Sequence, residues 1–434
     1  MTGQARKGLP SLFLPNPLSS RRPPLFFGQR QLGCRSPSSS TSSGDPRYAP
    51  AVDLVLTIGF SLITLLWTVV VLASTYSITR LRDLPAIHAV DLDADNPPKV
   101  TAVIAVRDEA DQIENTVRGL LAQRHVDLSV VVVNDGSRDR TPTILDRMAE
   151  AEDRVHVIHI DTLPERWIGK CYALHRGTSE ARGRWILLTD ADIRMTSDVI
   201  ARAVAVAESE RAHHICLLPR QRNATRLGQA SLLMLFLGMP DAFRKANRDK
   251  QGVGFGAFNL VREDALRDIG GFETLRMEVV DDHQLGLLLH RNGKRTRGFF
   301  GGNDVEMDFA RTPAAVVRAL EKNAFAIIRY RIWIACLSAG ISGAMVLGAV
   351  AGPFTGTFTG LAASVAFLAL SVPGVMFARR FNWPVSAGLL APLGFIVVLT
   401  AGANSIVKTL WRGGVRWRDR FYPLDELRRG MVRS

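Results

Sequence analysis

Cysteine is scarce in this chain. Its 434 residues include four, Cys34, Cys171, Cys216 and Cys336, widely scattered and with no Cys-x-x-Cys pair. That spacing argues against a disulfide framework and against a structural zinc site, and a reducing compartment is the simplest setting. Several nucleotide and hydrolase signatures are missing too. No Gly-x-Gly-x-x-Gly follows the first predicted strand, and neither a P-loop nor a Gly-x-Ser-x-Gly elbow occurs. Dinucleotide-dependent redox chemistry, P-loop phosphoryl transfer and serine hydrolysis thereby lose their sequence support. Acidic residues are outnumbered, 41 against 54 Lys and Arg, for a formal net charge of +13. The excess sits at the ends: residues 1–50 hold seven basic residues and one acidic, and residues 408–434 hold eight and three. Both ends adjoin long apolar runs, so this charge fits the positive-inside tendency and contact with anionic lipid better than it fits nucleic acid. No helix-turn-helix or RNA-binding motif accompanies it.

What the sequence does have is long apolar runs. Residues 53–74, DLVLTIGFSLITLLWTVVVLAS, carry one acid at their edge and are long enough to span a hydrocarbon core. Three more runs, at 332–351, 356–377 and 384–407, have no internal charge and are rich in Gly, Ala, Ser and Leu. Such small residues suit helices packed against one another in lipid. The chain therefore reads as an integral membrane protein, with a transmembrane anchor over 51–76, a soluble middle over 98–331, a membrane region over 332–407 and a basic tail over 408–434. The first run lacks a convincing cleavage site, which favours a retained anchor over a signal peptide. Residues 1–50, with SPSSSTSSGDP, read as a disordered Ser/Pro/Arg-rich segment. The same composition suits an organelle transit peptide or a misplaced start site.

The middle alternates strand and helix patterns. KVTAVIAV, LSVVVVN, RVHVIHI and WILLT read as strands, separated by helical spacings such as EADQIENTVRGLLAQ and GKCYALHRGTSEA. Continuous apolar strands in that alternation predict an α/β layer structure around a mostly parallel sheet. Folds of this kind bind ligands at the carboxyl ends of their strands, and those ends carry charge. Arg107-Asp108-Glu109 follows the first strand, Asn134-Asp135-Gly136-Ser137 the second, and Asp190-Ala191-Asp192 the fourth. Asn-Asp-Gly-Ser is also a good turn sequence. On a strand, residues i and i+2 face the same way, so Asp190 and Asp192 form a like-charge pair that is solvated, shares a proton or holds a cation. GVGFGAF at 252–258 reads as a close-approach loop or as simple flexibility. LGQASLLMLFLGMP, 227–240, reads as an interfacial helix or a buried one.

In order and spacing, VIAVRDEA, VVVNDGSRDRT, WIGKCYALHRGTSEARG, LLTDADI and MEVVDDHQLG resemble the family 2 glycosyltransferases, which have the GT-A fold. The likeness covers roughly 98–331. WIGKCYAL and the tail RWRDRFYPLDELRRG are most similar to the membrane-bound, lipid-directed members: ceramide glucosyltransferases and the hopanoid- or carotenoid-associated glycosyltransferases. The resemblance implies that Asp135 accepts hydrogen bonds from the nucleoside of a nucleotide-sugar, a UDP-sugar by preference, with Arg107, Asp108 and Glu109 beside it. It implies that Asp190 and Asp192 hold Mg²⁺ or Mn²⁺, hard cations suited to carboxylate and phosphate oxygens. An acid that removes the acceptor hydroxyl's proton is implied at Asp282, with Asp281 the close rival; two acids that merely favour a helix N-terminus are the plainer account. Lys170 reads as a diphosphate contact or a solvated lysine, and His283 as a substrate ligand or a helix residue.

One motif departs from the family. Where many members carry Gln-x-x-Arg-Trp, this chain has AIIRY, with Ala326 and Tyr330 in place of Gln and Trp. Arg329 is then expected to oppose the leaving phosphate and Tyr330 to stack on a sugar, while the missing Gln speaks against a processive polymer synthase. The expected reaction is a single inverting displacement that delivers a hexose to a lipid or isoprenoid hydroxyl at the membrane. The rivals are transfer to a polyprenyl phosphate, which needs no general base, and a non-catalytic membrane scaffold. A cytosolic donor places 98–331 in the cytosol, at the plasma membrane if the source is bacterial. Four full spans then leave both basic ends outside, against the positive-inside tendency; a re-entrant or interfacial C-terminal run, such as that containing Pro392, would bring the tail back to the cytosol but would not move the N-terminus.

Overall fold

The computed structural model describes residues 49–86, 96–222 and 224–432. The Ser/Pro/Arg-rich reading of the N-terminus, and Cys34 with it, lies outside them except for the first residues of a helix, α1 (Ala49–Thr79). The described residues from Asp53 onward cluster as one unit.

Seven strands form the central sheet: β1 (Lys99–Val106), β2 (Asp127–Asn134), β3 (Val155–His159), β4 (Trp185–Thr189), β5 (His214–Leu218), β6 (Asn259–Arg262) and β7 (Thr296–Phe300), in the order β3-β2-β1-β4-β6-β5-β7. Strands β3, β2, β1 and β4 pair in parallel, as do β5 and β7, and β6 alone runs against its neighbours. This is the mostly parallel α/β sheet that the alternation predicts. Helices cover both faces, so strands such as β4 bury every residue from Trp185 to Thr189, which is why they read as continuous apolar runs.

Register sets the functional edge. Val106 pairs with Asn134 and Ile104 with Thr189. The segments that begin at Arg107, Asp135 and Asp190 therefore leave the sheet side by side. A second level of order links the first two. Asp108, at a left-handed φ of 53°, donates its N–H to Ser137 Oγ, and its own Oδ1 accepts the Arg138 N–H at 2.7 Å. Asn134 Oδ1 accepts the Ser137 N–H. Asn-Asp-Gly-Ser is thus a true turn and part of the charged edge at once.

Among the described residues, four helices are long and apolar enough to cross a membrane: Val52–Thr79, Ile332–Thr355, Phe358–Arg380 and Ala391–Arg412. The third is broken into Phe358–Leu368 and Ser371–Arg380. Pro373 accounts for the break, since its ring excludes the carbonyl of Ala369 and it has no N–H to donate. Residues 226–235, left open between an interfacial and a buried helix, are buried: Gly228 to Met234 are all enclosed, and Gly394 of the last long helix lies against the Ala230 backbone. After that helix the chain forms a hairpin, β8 (Gly414–Trp417) and β9 (Arg420–Pro423).

Candidate active site

The ends of β1, β2 and β4 open on a cavity of ≈ 250 Å³. Lys170 reaches it from the first turn of the helix Gly169–Ser179, which follows the Trp-Ile-Gly turn. Its ammonium donates to Asp190 Oδ1 at 2.8 Å and lies 3.6 Å from Asp281 Oδ2. Burial works against the charged ammonium, but Asp190, Asp281 and Asp282 outweigh it and raise the Lys170 pKa well above the ordinary value. Asp281, 5% exposed, begins the helix Asp281–Arg291. Its carboxyl is pushed up to about 6 by burial, which the Lys170 charge opposes and the Asp282 charge reinforces. Asp282 is half-buried and accepts the His283 N–H. The half-buried His283 imidazole is pushed down by desolvation.

Loop 252–258 is a close-approach loop. A side chain at Gly256 would collide with Asp190 Oδ2 and meet Asp282 Oδ2 just beyond it, so glycine lets the loop pass between the two acids. Asn259 holds the loop by accepting the Phe255 N–H and donating to the Phe255 carbonyl. With Asn259 Oδ1 fixed as acceptor, the fully buried His214 donates from Nε2, at 3.1 Å.

Asp192 is the uncompensated charge of the site. Among the described residues no Lys or Arg forms an ion pair with it, and burial, then the Asp190 and Glu109 charges, push its carboxyl up to about 7. A hard divalent cation fits these two acids, since it would cancel the repulsion that keeps Asp192 protonated. Among the described residues no cluster of three or more His, Cys, Asp or Glu side chains could hold a metal. Such an ion would accordingly draw its other ligands from phosphate oxygens and water.

The opposite wall of the cavity comes from the C-terminal hairpin, which sequence reasoning left in a basic tail. Arg420 Nη1 donates to both oxygens of Asp135, at 2.8 and 2.7 Å. Asp419 accepts two hydrogen bonds from Arg107 Nη2, at 2.6 and 2.8 Å, and pairs with Arg138. Arg418 pairs with Glu109 at 2.8 Å and Asp108 at 3.6 Å. Burial raises the Glu109 pKa against the lowering effect of Arg418. Gly169 makes this approach feasible: any Cβ there would lie on top of both Arg420 Nη1 and Asp135 Oδ2. Lys322 is a further addition. Its buried ammonium is pushed down to about 8 by desolvation and then by Lys170, and it lies 3.5 Å from the centroid of the Trp417 ring.

Three expectations need correction. Tyr330 does not face a sugar site; it is 1% exposed and packs edge-on to Phe325. Arg329 does not face the cavity either, because it donates to the Val432 carbonyl. Both residues have left-handed backbone, φ 57° and 54°, and that turn carries them behind the site. Lys322, a few residues earlier, points where Arg329 was expected. Asp108 also differs from expectation: its carboxylate ties the two loops together through the Arg138 N–H.

The sequence profile of Glycosyl transferase family 2 matches residues 101–270. Those residues are similar to a family 2 glycosyl transferase domain, and the match covers less than half of the chain. A poly-β-1,6-N-acetyl-D-glucosamine synthase of Staphylococcus aureus (strain MSSA476) is 23% identical over 210 residues, 48% of this chain and 49% of that protein. The succinoglycan biosynthesis protein ExoO of Rhizobium meliloti (strain 1021) is 36% identical over 115 residues, 26% of this chain and 31% of ExoO. The chain thus spans half or less of the curated relatives it matches. In structure, the mannosyltransferase PcManGT from Pyrobaculum calidifontis, solved with GDP-Man and Mn²⁺, aligns with a TM-score of 0.54 at 17% identity, over 81% of this chain and 99% of that one. That likeness is one of fold, and it extends beyond the residues that the profile matches. The acids at the ends of β1, β2 and β4 all lie within the matched domain.

Proposed function

We propose that this protein is a membrane-bound, cation-dependent inverting glycosyltransferase that moves a hexose from a nucleotide-sugar to the hydroxyl of a lipid or isoprenoid acceptor. The observation that carries the proposal is Asp192, a half-buried carboxyl with no ion-pair partner among the described residues, beside Asp190 and the Lys170 ammonium at one sheet edge. A protein gains nothing by keeping such a charge unless a ligand completes it. The buried Nε of Arg107 has no hydrogen-bond partner, a second group at the same edge that a ligand oxygen would satisfy.

Asp190 and Asp192 would hold Mg²⁺ or Mn²⁺, which when bound supplies positive charge to the departing nucleoside diphosphate. This chain's own residues do the rest. Lys170 adds a fixed positive charge to the same side. Asp281 keeps Lys170 in place, and its burial beside that ammonium makes it the weaker candidate for proton transfer. Asp282, half-buried and separated from Asp190 by Gly256 of loop 252–258, takes the proton from the acceptor hydroxyl at its carboxylate as that oxygen attacks the anomeric carbon. A single displacement inverts the centre and needs no covalent enzyme intermediate. The long apolar helices support a membrane acceptor, whereas the names of the curated relatives point to polysaccharide.

The test begins with titration of UDP and GDP into detergent-purified protein with and without Mn²⁺, followed by screening of the matching nucleotide-sugars against lipid extracts. Binding that requires both Mn²⁺ and Asp192 is expected. Asp282→Asn should then keep nucleotide affinity within about twofold while lowering transfer to a hydroxyl acceptor roughly a hundredfold or more. Full transfer by Asp282→Asn would instead favour a phosphate acceptor. Failure of both nucleotides to bind would remove the transferase reading.

A further inference from the structure

The tip of the C-terminal hairpin is three consecutive charged residues, and each faces a group of opposite sign on the strand ends. Arg418 meets Glu109, Asp419 meets Arg107 and Arg138, and Arg420 meets Asp135. Two further contacts fix the hairpin's base to the site: Trp417 lies over the Lys322 ammonium, and the Tyr422 hydroxyl accepts the Gly169 N–H at 3.2 Å. The hairpin does not fill the cleft. It forms one wall, and the cavity lies between Trp417, Arg418, Arg420 and Tyr422 on one side and the ends of β1, β2 and β4 on the other. Any ligand placed there touches both walls.

Asp135 then has two claims on it. The oxygens that Arg420 holds are those through which a nucleoside would bind. A partly buried guanidinium does not give up a carboxylate unless another anion takes its place. The donor's diphosphate is that anion, and the planar fork of an arginine matches phosphate oxygens as well as it matches a carboxylate. We infer that Arg420 is a donor-binding residue that exchanges the Asp135 carboxylate for the donor's diphosphate, with residues 414–423 remaining as a wall of the loaded site. This inference rests on the nucleotide-sugar reading above and adds to it a residue outside the matched domain.

The experiment compares wild type, Arg420→Gln and Arg420→Lys as full-length protein in detergent, titrated with UDP and GDP in the presence of Mn²⁺ and with the nucleosides uridine and guanosine. Hydrogen exchange over 414–423 is followed in the wild type with and without nucleotide. Arg420→Gln should weaken binding of the preferred nucleoside diphosphate roughly ten- to a hundredfold, with Arg420→Lys in between. The nucleoside, which has no diphosphate, should bind Arg420→Gln at least as well as wild type, because Asp135 is then free. A fold defect alone would weaken both ligands together. In the wild type, exchange of 414–423 should stay slow or slow further on binding. Unchanged or tighter diphosphate binding by Arg420→Gln, or release of the hairpin on binding, overturns the inference and makes the hairpin a plug. Wild type that binds neither nucleotide removes the transferase reading and this inference with it, whereas a wild type that binds and a variant that matches it removes this inference alone.

Discussion

Asp192 shows how much one residue can indicate about a site. Its carboxyl is pushed up to about 7, well above the ordinary aspartate value near 3.9. Without a cation, the folded chain therefore holds a proton that the unfolded chain has already released. Stability is full below the ordinary aspartate pKa and is lost as pH rises through about 7, by about 4 kcal/mol for a shift of this size. Thermal unfolding in chelator should show the melting temperature falling between pH 5 and 8, and Asp192→Asn should flatten that slope. Mn²⁺ with the preferred nucleotide should restore the wild type above pH 7 and leave Asp192→Asn unaffected. A wild-type melting temperature that is level across this range would mean that Asp192 already has a partner. Sequence reasoning found this acid because β4 is apolar throughout and then stops at two carboxylates. It could not find the environment of Arg329 and Tyr330, since two successive left-handed residues leave no mark in Arg-Tyr itself.

At the scale of elements, the strands were legible and the hairpin was not. Strands β1, β2 and β4 are buried on both faces, so each shows as an apolar run in the sequence. The hairpin strands have four residues apiece and are rich in Arg, and their partners lie far away in the chain, 285 residues in the case of Arg420 and Asp135. No periodicity encodes a contact of that range. Its alternation of Arg with Trp, Phe and Tyr was visible, and it read as a membrane-proximal basic tail. Another element-scale feature lies under loop 252–258, where burial pushes the His214 imidazole down to about 4, against the hydrogen bond to Asn259. An ordinary histidine titrates near 6.5. The unfolded chain thus takes up a proton before the folded one does, and stability is full above 6.5 and lost as pH falls through about 4. About 3 kcal/mol is at stake. Urea unfolding at pH 7, 5.5 and 4.5 should show this decline in the wild type and a shallower one in His214→Gln. Equal slopes would place the acid sensitivity elsewhere.

For the whole molecule, packing bears on the topology that charge alone left in conflict. Helix α1 leads into Arg82 and Leu84, which hydrogen-bond to the backbone of Phe300 in the catalytic domain. Helix Ile332–Thr355 leaves the domain, and Phe358–Arg380 returns to it, because Arg380 pairs with Asp83 at 2.7 Å. The last long helix, Ala391–Arg412, touches the domain along its length. Gly394 lies against Ala230 near its start, Ser405 Oγ donates to the Glu321 carbonyl, and Lys408 and Arg412 both pair with Glu321. A crossing helix of that length would carry its far end about 30 Å from the domain surface. This one ends instead at the hairpin on the cleft. The packing thus predicts three crossings and one interfacial helix, whose Leu393, Val407 and Trp411 are exposed to meet lipid. It places the basic C-terminal tail on the same side as the domain, as the positive-inside tendency favours for a cytosolic domain. A reporter fused after Ser434 should respond like a cysteine introduced at the exposed Arg182 of the domain. A C-terminal reporter on the far side would make Ala391–Arg412 a true span, and Arg420 could then not reach Asp135 in the membrane.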